Sequence, residues 1–292
     1  MEQFIIKSAI TKTNGDYYAK DAISASGLKR IKVSPAHYRF AEPMKETDAI
    51  RFGRAYHSMI LTPELFLTEF FIMNDLAIYQ SLIDKGYKSP RSTKEYKEWS
   101  FAEALKAETK TIIDGDQYQK MTEMREAFMK HPYARTLITN GEAEVGYGGK
   151  IETLAGEIEV KLRPDYIKDN IIVDLKTTED ASVNGFARSA ANYDYHIQAA
   201  FYVNMMKQTR DIETFFFIAQ EKDKPYAVNV FEASDQFISQ GRYEYELLLY
   251  LYKYCIDNDK WPSYEIFQQN KYGVNQLDLP SYAIKPIEYF TH

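Results

Sequence analysis

From Glu142 to Lys176 the apolar pattern changes period, and this change constrains the fold more than any other feature of the chain. Glu157, Ile158, Glu159, Val160, Lys161, Leu162 and Arg163 alternate polar and apolar, as a strand with one buried face does. Lys168-Asp169-Asn170 supplies a turn, and Ile171-Ile172-Val173 opens a short, strongly apolar strand. That strand ends in charge, as Asp174-Leu175-Lys176. Asp174 and Lys176 are two residues apart, so both are expected on one face of the sheet, where the apolar run stops. The preceding strand is expected to carry Glu157, Glu159, Lys161, Arg163 and Asp165 on one parity. The turn at 168–170 would then bring Asp165 beside Asp174.

Helical patterns flank this region. Ser24 or Ser26 is placed to cap a short helix over Gly27 to Val33, and Ser34-Pro35 closes that turn and opens another with Ala36, His37 and Tyr38. Thr47 caps a predicted helix running to about Leu61, which Pro63 ends. The stretch from about Ile78 to Arg135 reads as helical and charged, with breaks near 88–91 and 114–116. After Thr177-Thr178 come helical segments near 182–190 and 194–207, a strand pair over 214–220 and 227–231, and a last helix over 234–257. This order predicts an α/β domain with a mixed central β-sheet flanked by helices. The predicted organisation is an extended N-terminal segment (1–20), one domain (21–264) with a helical insertion at about 75–135, and a tail (265–292) that packs as an extended arm.

Two carboxylates in contact repel unless a cation lies between them. Oxygen donors at the spacing expected for Asp165 and Asp174 suit Mg²⁺ or Mn²⁺. A lysine beside them, Lys176, can orient and activate an attacking water and offset negative charge that develops on a phosphorus centre. The plainer reading is that Asp and Lys two apart on a strand are surface residues and Pro164-Asp165 an ordinary turn.

The combination Pro164-Asp165 and Asp174-Leu175-Lys176 resembles the PD-(D/E)XK nuclease signature. Ser24-Ala25-Ser26-Gly27-Leu28-Lys29, Ser34-Pro35-Ala36-His37-Tyr38 and Gly53-Arg54-Ala55-Tyr56-His57 are similar to strings of the RecE-type exonuclease domain, exodeoxyribonuclease VIII. Tyr195-His196-Ile197-Gln198-Ala199-Ala200-Phe201-Tyr202 and Trp261-Pro262 extend the resemblance over roughly residues 20 to 264. It reaches more distantly to phage lambda exonuclease and RecB-like nuclease domains.

The resemblance implies a PD-(D/E)XK fold and a Mg²⁺-dependent exodeoxyribonuclease that digests linear duplex DNA 5′ to 3′. Mn²⁺ would substitute for Mg²⁺. It implies that His57 joins Asp165 and Asp174 in holding metal, that Leu175 contributes its backbone carbonyl, and that Lys176 positions or activates the water. A further acidic ligand is expected from the strand before Pro164-Asp165; Glu144 is the first choice and Glu142 the second. Gln198 and Tyr202, four apart on one helical face, match a Gln-x-x-x-Tyr element that would position Lys176 or the scissile phosphate. A ring-shaped homo-oligomer (trimer or tetramer), a RecT-type single-strand annealing partner, and a phage or prophage recombination setting are also implied. Without the resemblance, His57 reads as a structural histidine and helix 194–207 as an ordinary amphipathic helix. An endonuclease of the same superfamily, or a non-catalytic DNA-binding module of that fold, would carry a similar core signature.

Lys plus Arg total 36 and Asp plus Glu total 42, so the formal net charge of −6 argues against coating nucleic acid by bulk charge. A local track remains open to it. Lys29, Arg30 and Lys32 cluster beside Ser24 and Ser26, as in an anion pocket made of hydroxyls, helix amides and cations, and Arg54 precedes His57 on the next helix. These six residues are the expected DNA contacts. One cysteine, Cys255, excludes an internal disulfide and a cysteine-cluster metal site, and suits a reducing cytoplasm. No apolar run approaches the roughly 20 residues needed to span a bilayer. The 24 Tyr and 17 Phe are expected to be mostly core, including Phe215, Phe216 and Phe217, with Phe237, Leu247, Leu248 and Leu251 forming the inner face of the last helix.

Overall fold

A computed structural model describes residues 5–13, 22–43, 45–207, 209–267, 274–280 and 283. Most of the predicted tail lies outside the described residues. The fold is built on a five-stranded mixed sheet in the order β10-β9-β8-β7-β4. Its strands are β4 (Glu142–Ala143), β7 (Tyr166–Lys168), β8 (Ile171–Thr178), β9 (Thr214–Glu221) and β10 (Val228–Glu232). The central β8 and β9 run parallel, with Asp174 opposite Phe217 and Leu175 opposite Ile218. The other pairs are antiparallel.

The two central strands are covered on both faces, so their sequences are apolar runs rather than alternations. Phe215, Phe217 and Ala219 join one core cluster, with Ile172, while Phe216 and Ile218 join the other, with Val173 and Leu175. The first cluster lies against α1 (Ala25–Val33), α10 (Tyr195–Met206) and α11 (Asp235–Asn258). The second lies against α3 (Asp48–Leu61) and α7 (Gly115–Lys130). Each fully buried Leu or Phe in these clusters contributes about 1.5–3 kcal/mol through loss of apolar surface from water. Only part of the aromatic excess is consumed here, since Phe40, Phe101, Tyr193, Tyr243, Tyr250 and Tyr254 are exposed rather than core.

The N-terminal caps form at the expected serines and threonine. Ser24 Oγ accepts from Gly27 N and Thr47 Oγ1 from Ile50 N. Ser34 closes α1 and caps α2 (Pro35–Arg39). Pro63 both ends α3 and occupies the first turn of α4 (Pro63–Glu69), a position that needs no backbone N–H.

Three expectations are corrected. First, the alternating strand does not reach Asp165. β6 (Gly156–Leu162) belongs to a separate antiparallel sheet with β1 (Ile5–Lys12) and β5 (Tyr147–Thr153). Arg163-Pro164-Asp165 crosses from that sheet into β7, where Pro164 can donate no ladder hydrogen bond. Second, the charged stretch 78–135 is not all helix. It holds α5 (Leu76–Asp84), α6 (Lys94–Leu105), α7 and α8 (Pro132–Leu137), but also β3 (Thr111–Asp114), which pairs in parallel with β2 (Phe70–Met73). Third, the inner face of α11 centres on Gly241, Tyr245, Leu249, Tyr252 and Cys255; Phe237, Leu248 and Leu251 pack half-buried against the same core as expected, but Leu247 is 54% exposed. The remaining helix, α9 (Val183–Asn192), lies between β8 and α10 in sequence. No helix among the described residues is long and apolar enough to cross a membrane.

α10 is wedged between the sheet and α11, and the wedge is tight. A Cβ at Gly241 would sit 2.0 Å from the backbone oxygen of His196. Gly241→Ala is therefore expected to force the helices apart and destabilise the protein by about 1–3 kcal/mol, the usual range for overpacking. Thermal unfolding of wild type and variant measures this, and an unchanged melting temperature would show that the contact yields freely.

Candidate active site

Alternation along β8 decides where its charged end points. Asp174 and Lys176 share the face of Ile172 and meet α10, while Leu175 packs with its side chain buried in the opposite core. Asp174 is 1% exposed. Its Oδ1 accepts from Gln198 Nε2 at 2.7 Å, which gives Gln198 a definite partner on the acid rather than on Lys176. Its Oδ2 lies 2.5 Å from Lys176 Nζ, yet no aligned donor hydrogen-bonds that buried oxygen. Asp165 arrives through the register Tyr166 to Val173, and Asp165 Oδ2 accepts from Leu175 N at 2.8 Å. The expected meeting of Asp165, Asp174 and Lys176 is present, although the route to Asp165 is a crossover and not a continuous strand.

His57 on α3 and Glu144, one residue past β4, complete the group. His57 Nδ1 lies 3.5 Å from Asp165 Oδ2. Donor atoms of His57, Glu144 and Asp165 all fall within 4.8 Å of one another. Glu144 takes a left-handed backbone (φ 53°), and its N–H donates to the carbonyl of Asp165 at 2.9 Å. Its side chain pairs with Arg163, Nε to Oε2 at 3.1 Å. Glu142 goes elsewhere, to Lys12 and Arg210. Glu157 and Glu159 are exposed and face Lys150.

The electrostatics of this group call for a cation. Burial, then Asp165, pushes the Glu144 carboxyl up to about 7, against the pull of Arg163. Burial and Asp165 also push Asp174 upward, opposed by Lys176 and His57. Burial would lower Lys176, but Asp174 and Asp165 outweigh it and hold the lysine above its ordinary value. The Lys176 ammonium beside Asp174 is placed to orient a water and offset negative charge. The crowded acids Glu144 and Asp165 and the adjacent His57 imidazole fit a hard divalent cation.

A cavity of about 570 Å³ opens in front of this group, lined by Gly53, Arg54, His57, Glu69, Glu144, Arg163 and Asp165 among others. Arg54 reaches it from α3, where it pairs with Glu46 and donates to Thr111. Lys29 stands near the lysine side of the site: its Nζ lies 5.3 Å from the Tyr195 ring centroid and Lys176 Nζ 5.0 Å from the same ring. Burial, then Lys176, pushes Lys29 down to about 8. The Ser24 and Ser26 hydroxyls hydrogen-bond each other at 2.9 Å, and Arg30 is exposed. Lys32 is engaged with Asp194 and Glu244, at 2.6 and 2.7 Å. Tyr202 donates to the carbonyl of Arg163 at 3.4 Å, on the crossover that leads to Asp165. Tyr195 and Arg163 are site residues that sequence reasoning left without a role. The available signal was Arg163 itself, a cation next to Pro164-Asp165.

A carboxyl whose pKa is higher in the folded than in the unfolded state holds its proton more tightly when folded. Its contribution to stability is complete below the unfolded value and is lost as pH rises through the folded one. In chelator, the melting temperature is thus expected to fall between the ordinary carboxyl range and about pH 7 as Glu144 ionises. Glu144→Gln should flatten that slope. A wild-type curve that is level across this window would contradict the crowding described above.

The family described as PDDEXK-like domain of unknown function (DUF3799) matches residues 24–269. A solved structure from Eubacterium rectale, named "putative exonuclease", aligns with a TM-score of 0.57 and 16% identity over 92% of this chain and 96% of that chain. That likeness is one of fold. The solved structure of SSO0001 aligns at a TM-score of 0.29 and 14% identity over 77% of this chain and 84% of that one, too low to bear on the fold. No curated protein matches the chain. With the match spanning most of its length and Asp165, Asp174 and Lys176 brought together, the chain belongs to the PDDEXK-like DUF3799 family, within the PD-(D/E)XK nuclease superfamily.

Proposed function

We propose that this chain is a Mg²⁺-dependent exodeoxyribonuclease that digests linear double-stranded DNA 5′ to 3′ and leaves 3′ single strands for recombination by strand annealing. The observation that carries the nuclease reading is the convergence of His57, Glu144 and Asp165 on one cavity, with the buried pair Asp174 and Lys176 close to Asp165. Asp165, Asp174, His57 and Glu144, with the Leu175 carbonyl, would hold the cation, and Mn²⁺ would replace Mg²⁺. When bound, the cation supplies Lewis acidity toward a phosphoryl oxygen and lowers the pKa of water.

The chain's own residues do the rest. Gln198 fixes the rotamer of Asp174. The Lys176 ammonium, held by Asp174, orients the attacking water and offsets charge growing on the phosphate. Asp165 is locked by the Leu175 amide, so its second oxygen is presented in one direction. Lys29, Arg30, Lys32, Arg54, Ser24 and Ser26 are the proposed DNA contacts. Lys32 would have to share its ammonium with Asp194 and Glu244.

Support for the 5′ to 3′ direction and for duplex ends comes from the resemblance to RecE-type domains. So does support for a ring-shaped trimer or tetramer, for a RecT-type annealing partner, and for a phage or prophage protein in the bacterial cytoplasm.

Digestion of 5′-phosphorylated linear, 5′-hydroxyl linear and covalently closed circular duplexes, with Mg²⁺, Mn²⁺ or chelator, tests the reading. Linear DNA should be degraded only with metal, and circles should survive. Lys176→Ala should retain DNA binding and lose activity by about 100-fold or more, the scale of removing one preorganised charge-stabilising group. Cutting of circles would turn the reading to an endonuclease. Failure of the wild type on every linear substrate with either metal would end it.

A further inference from the structure

Tyr193 lies where α9 ends and α10 begins, and its backbone is pinned there. Its N–H donates to the Ser189 carbonyl at 2.9 Å. Asp194 follows with a left-handed backbone (φ 53°) and is tied to Lys32 on α1. Tyr193 is nevertheless 63% exposed. Its ring stacks on that of Tyr195, with centroids 5.7 Å apart and planes 23° apart. Tyr195 stacks in turn on Phe217, at 5.7 Å and 25°, and Phe217 is buried. Three rings thus lead from the core to solvent, and packing in the core backs the outermost. The middle ring stands at the lysine side of the site, 5.0 Å from Lys176 Nζ and 5.3 Å from Lys29 Nζ. Among the described residues, Tyr193 is the exposed aromatic joined by stacking to a ring beside Lys176. The two steps from Lys176 Nζ to the Tyr193 centroid, 5.0 Å and 5.7 Å, cover about three stacked nucleotides at roughly 3.4 Å each. A scattered surface tyrosine needs no function. An exposed ring held nearly parallel to a fixed one, beside two lysines, has the make-up of a single-strand platform, in which aromatic faces take bases and cations track the backbone.

We propose that Tyr193 is a nucleobase-stacking residue: its exposed ring takes an unpaired base of the DNA strand whose phosphates run past Lys29. The base stacks on Tyr193 while Tyr193 stays on Tyr195, so no contact of the fold has to break. Every base has a π-face, so the contact is indifferent to sequence. A paired base keeps its faces against its neighbours in the duplex, so the contact favours strands with an unpaired end. The inference rests on the nuclease reading for the identity of the ligand as DNA, and on the ring geometry for the contact.

The experiment uses the full chain as wild type, Tyr193→Ala and Tyr193→Phe, with Ca²⁺ in place of Mg²⁺. Two probes are compared: a duplex with a short single-stranded tail that carries 2-aminopurine, and a duplex closed by a hairpin at each end. Tyr193→Ala should bind the tailed duplex about 5-fold or more weakly than wild type, the scale of one base–aromatic stack. Tyr193→Phe keeps the π-face and should bind it as wild type does. All three should bind the closed duplex alike. At saturation, 2-aminopurine emission should be quenched on wild type and Tyr193→Phe and remain higher on Tyr193→Ala. An unchanged affinity of Tyr193→Ala for the tailed duplex overturns the proposal. So does a loss shared by Tyr193→Phe, which marks a hydroxyl contact, or a loss shared by the closed duplex, which marks a change in the fold or in phosphate binding. A wild type that binds neither probe overturns it too. None of these measurements involves cleavage. A wild type that shows the stacking and cuts no DNA overturns the nuclease reading alone, and one that cuts DNA without the stacking signal overturns this proposal alone.

Discussion

The site depends on one unfavourable arrangement made tolerable: a carboxylate, Asp174, buried in the middle of a central strand with a second carboxylate, Asp165, close by. Burying one charge costs several kcal/mol unless partners compensate it. Asp174 has two partners, the Gln198 amide and the Lys176 ammonium, and Asp165 has the amide of Leu175. These contacts come from β8 itself and from α10, so the packing of α10 against the sheet is part of the electrostatics of the site. The crowded donor atoms of His57, Glu144 and Asp165 mark where a divalent cation would act.

Alternation on the central strands organises the rest. Odd and even positions of β8 and β9 feed two separate cores, one against α10 and α11 and one against α3 and α7. Asp174 and Lys176 thereby face α10, and Leu175 is sunk on the other side. The cavity opens where the crossover Arg163-Pro164-Asp165 passes from one sheet to the other and α3 approaches with His57. A site at a sheet-to-sheet crossover gathers donors from four elements distant in sequence. It can do so because backbone hydrogen bonds, such as Glu144 N to Asp165 O, pin each segment.

Much of this was legible from local chemistry. Capping hydroxyls at Ser24, Ser34 and Thr47, the turn at 168–170, and the apolar run ending in Asp174-Leu175-Lys176 are short-range signals, and each appears where local physics places it. The strand β3 was hidden because four residues between charged helices carry too little pattern to outweigh their surroundings, and it exists only by pairing with β2. The inner face of α11 was read only in part, with Phe237, Leu248 and Leu251 on it, because tyrosines are amphipathic: Tyr245 and Tyr252 are buried while Leu247 is exposed. Bulk charge misled in a similar way, since a net −6 says nothing about where Lys29, Lys176 and Arg163 sit.

The sequence alone determined the fold class, the helix starts and the identity of the central acidic and basic residues, because hydrophobic period, turn chemistry and caps act over a few residues. Only the tertiary structure decided which residues meet. It showed that Gln198 serves Asp174, that Tyr202 braces Arg163, that Glu144 and not Glu142 stands with His57 and Asp165, and that Lys32 is paired with Asp194 and Glu244. Those choices depend on contacts between elements tens to hundreds of residues apart, and electrostatic partnership falls off over a few ångströms.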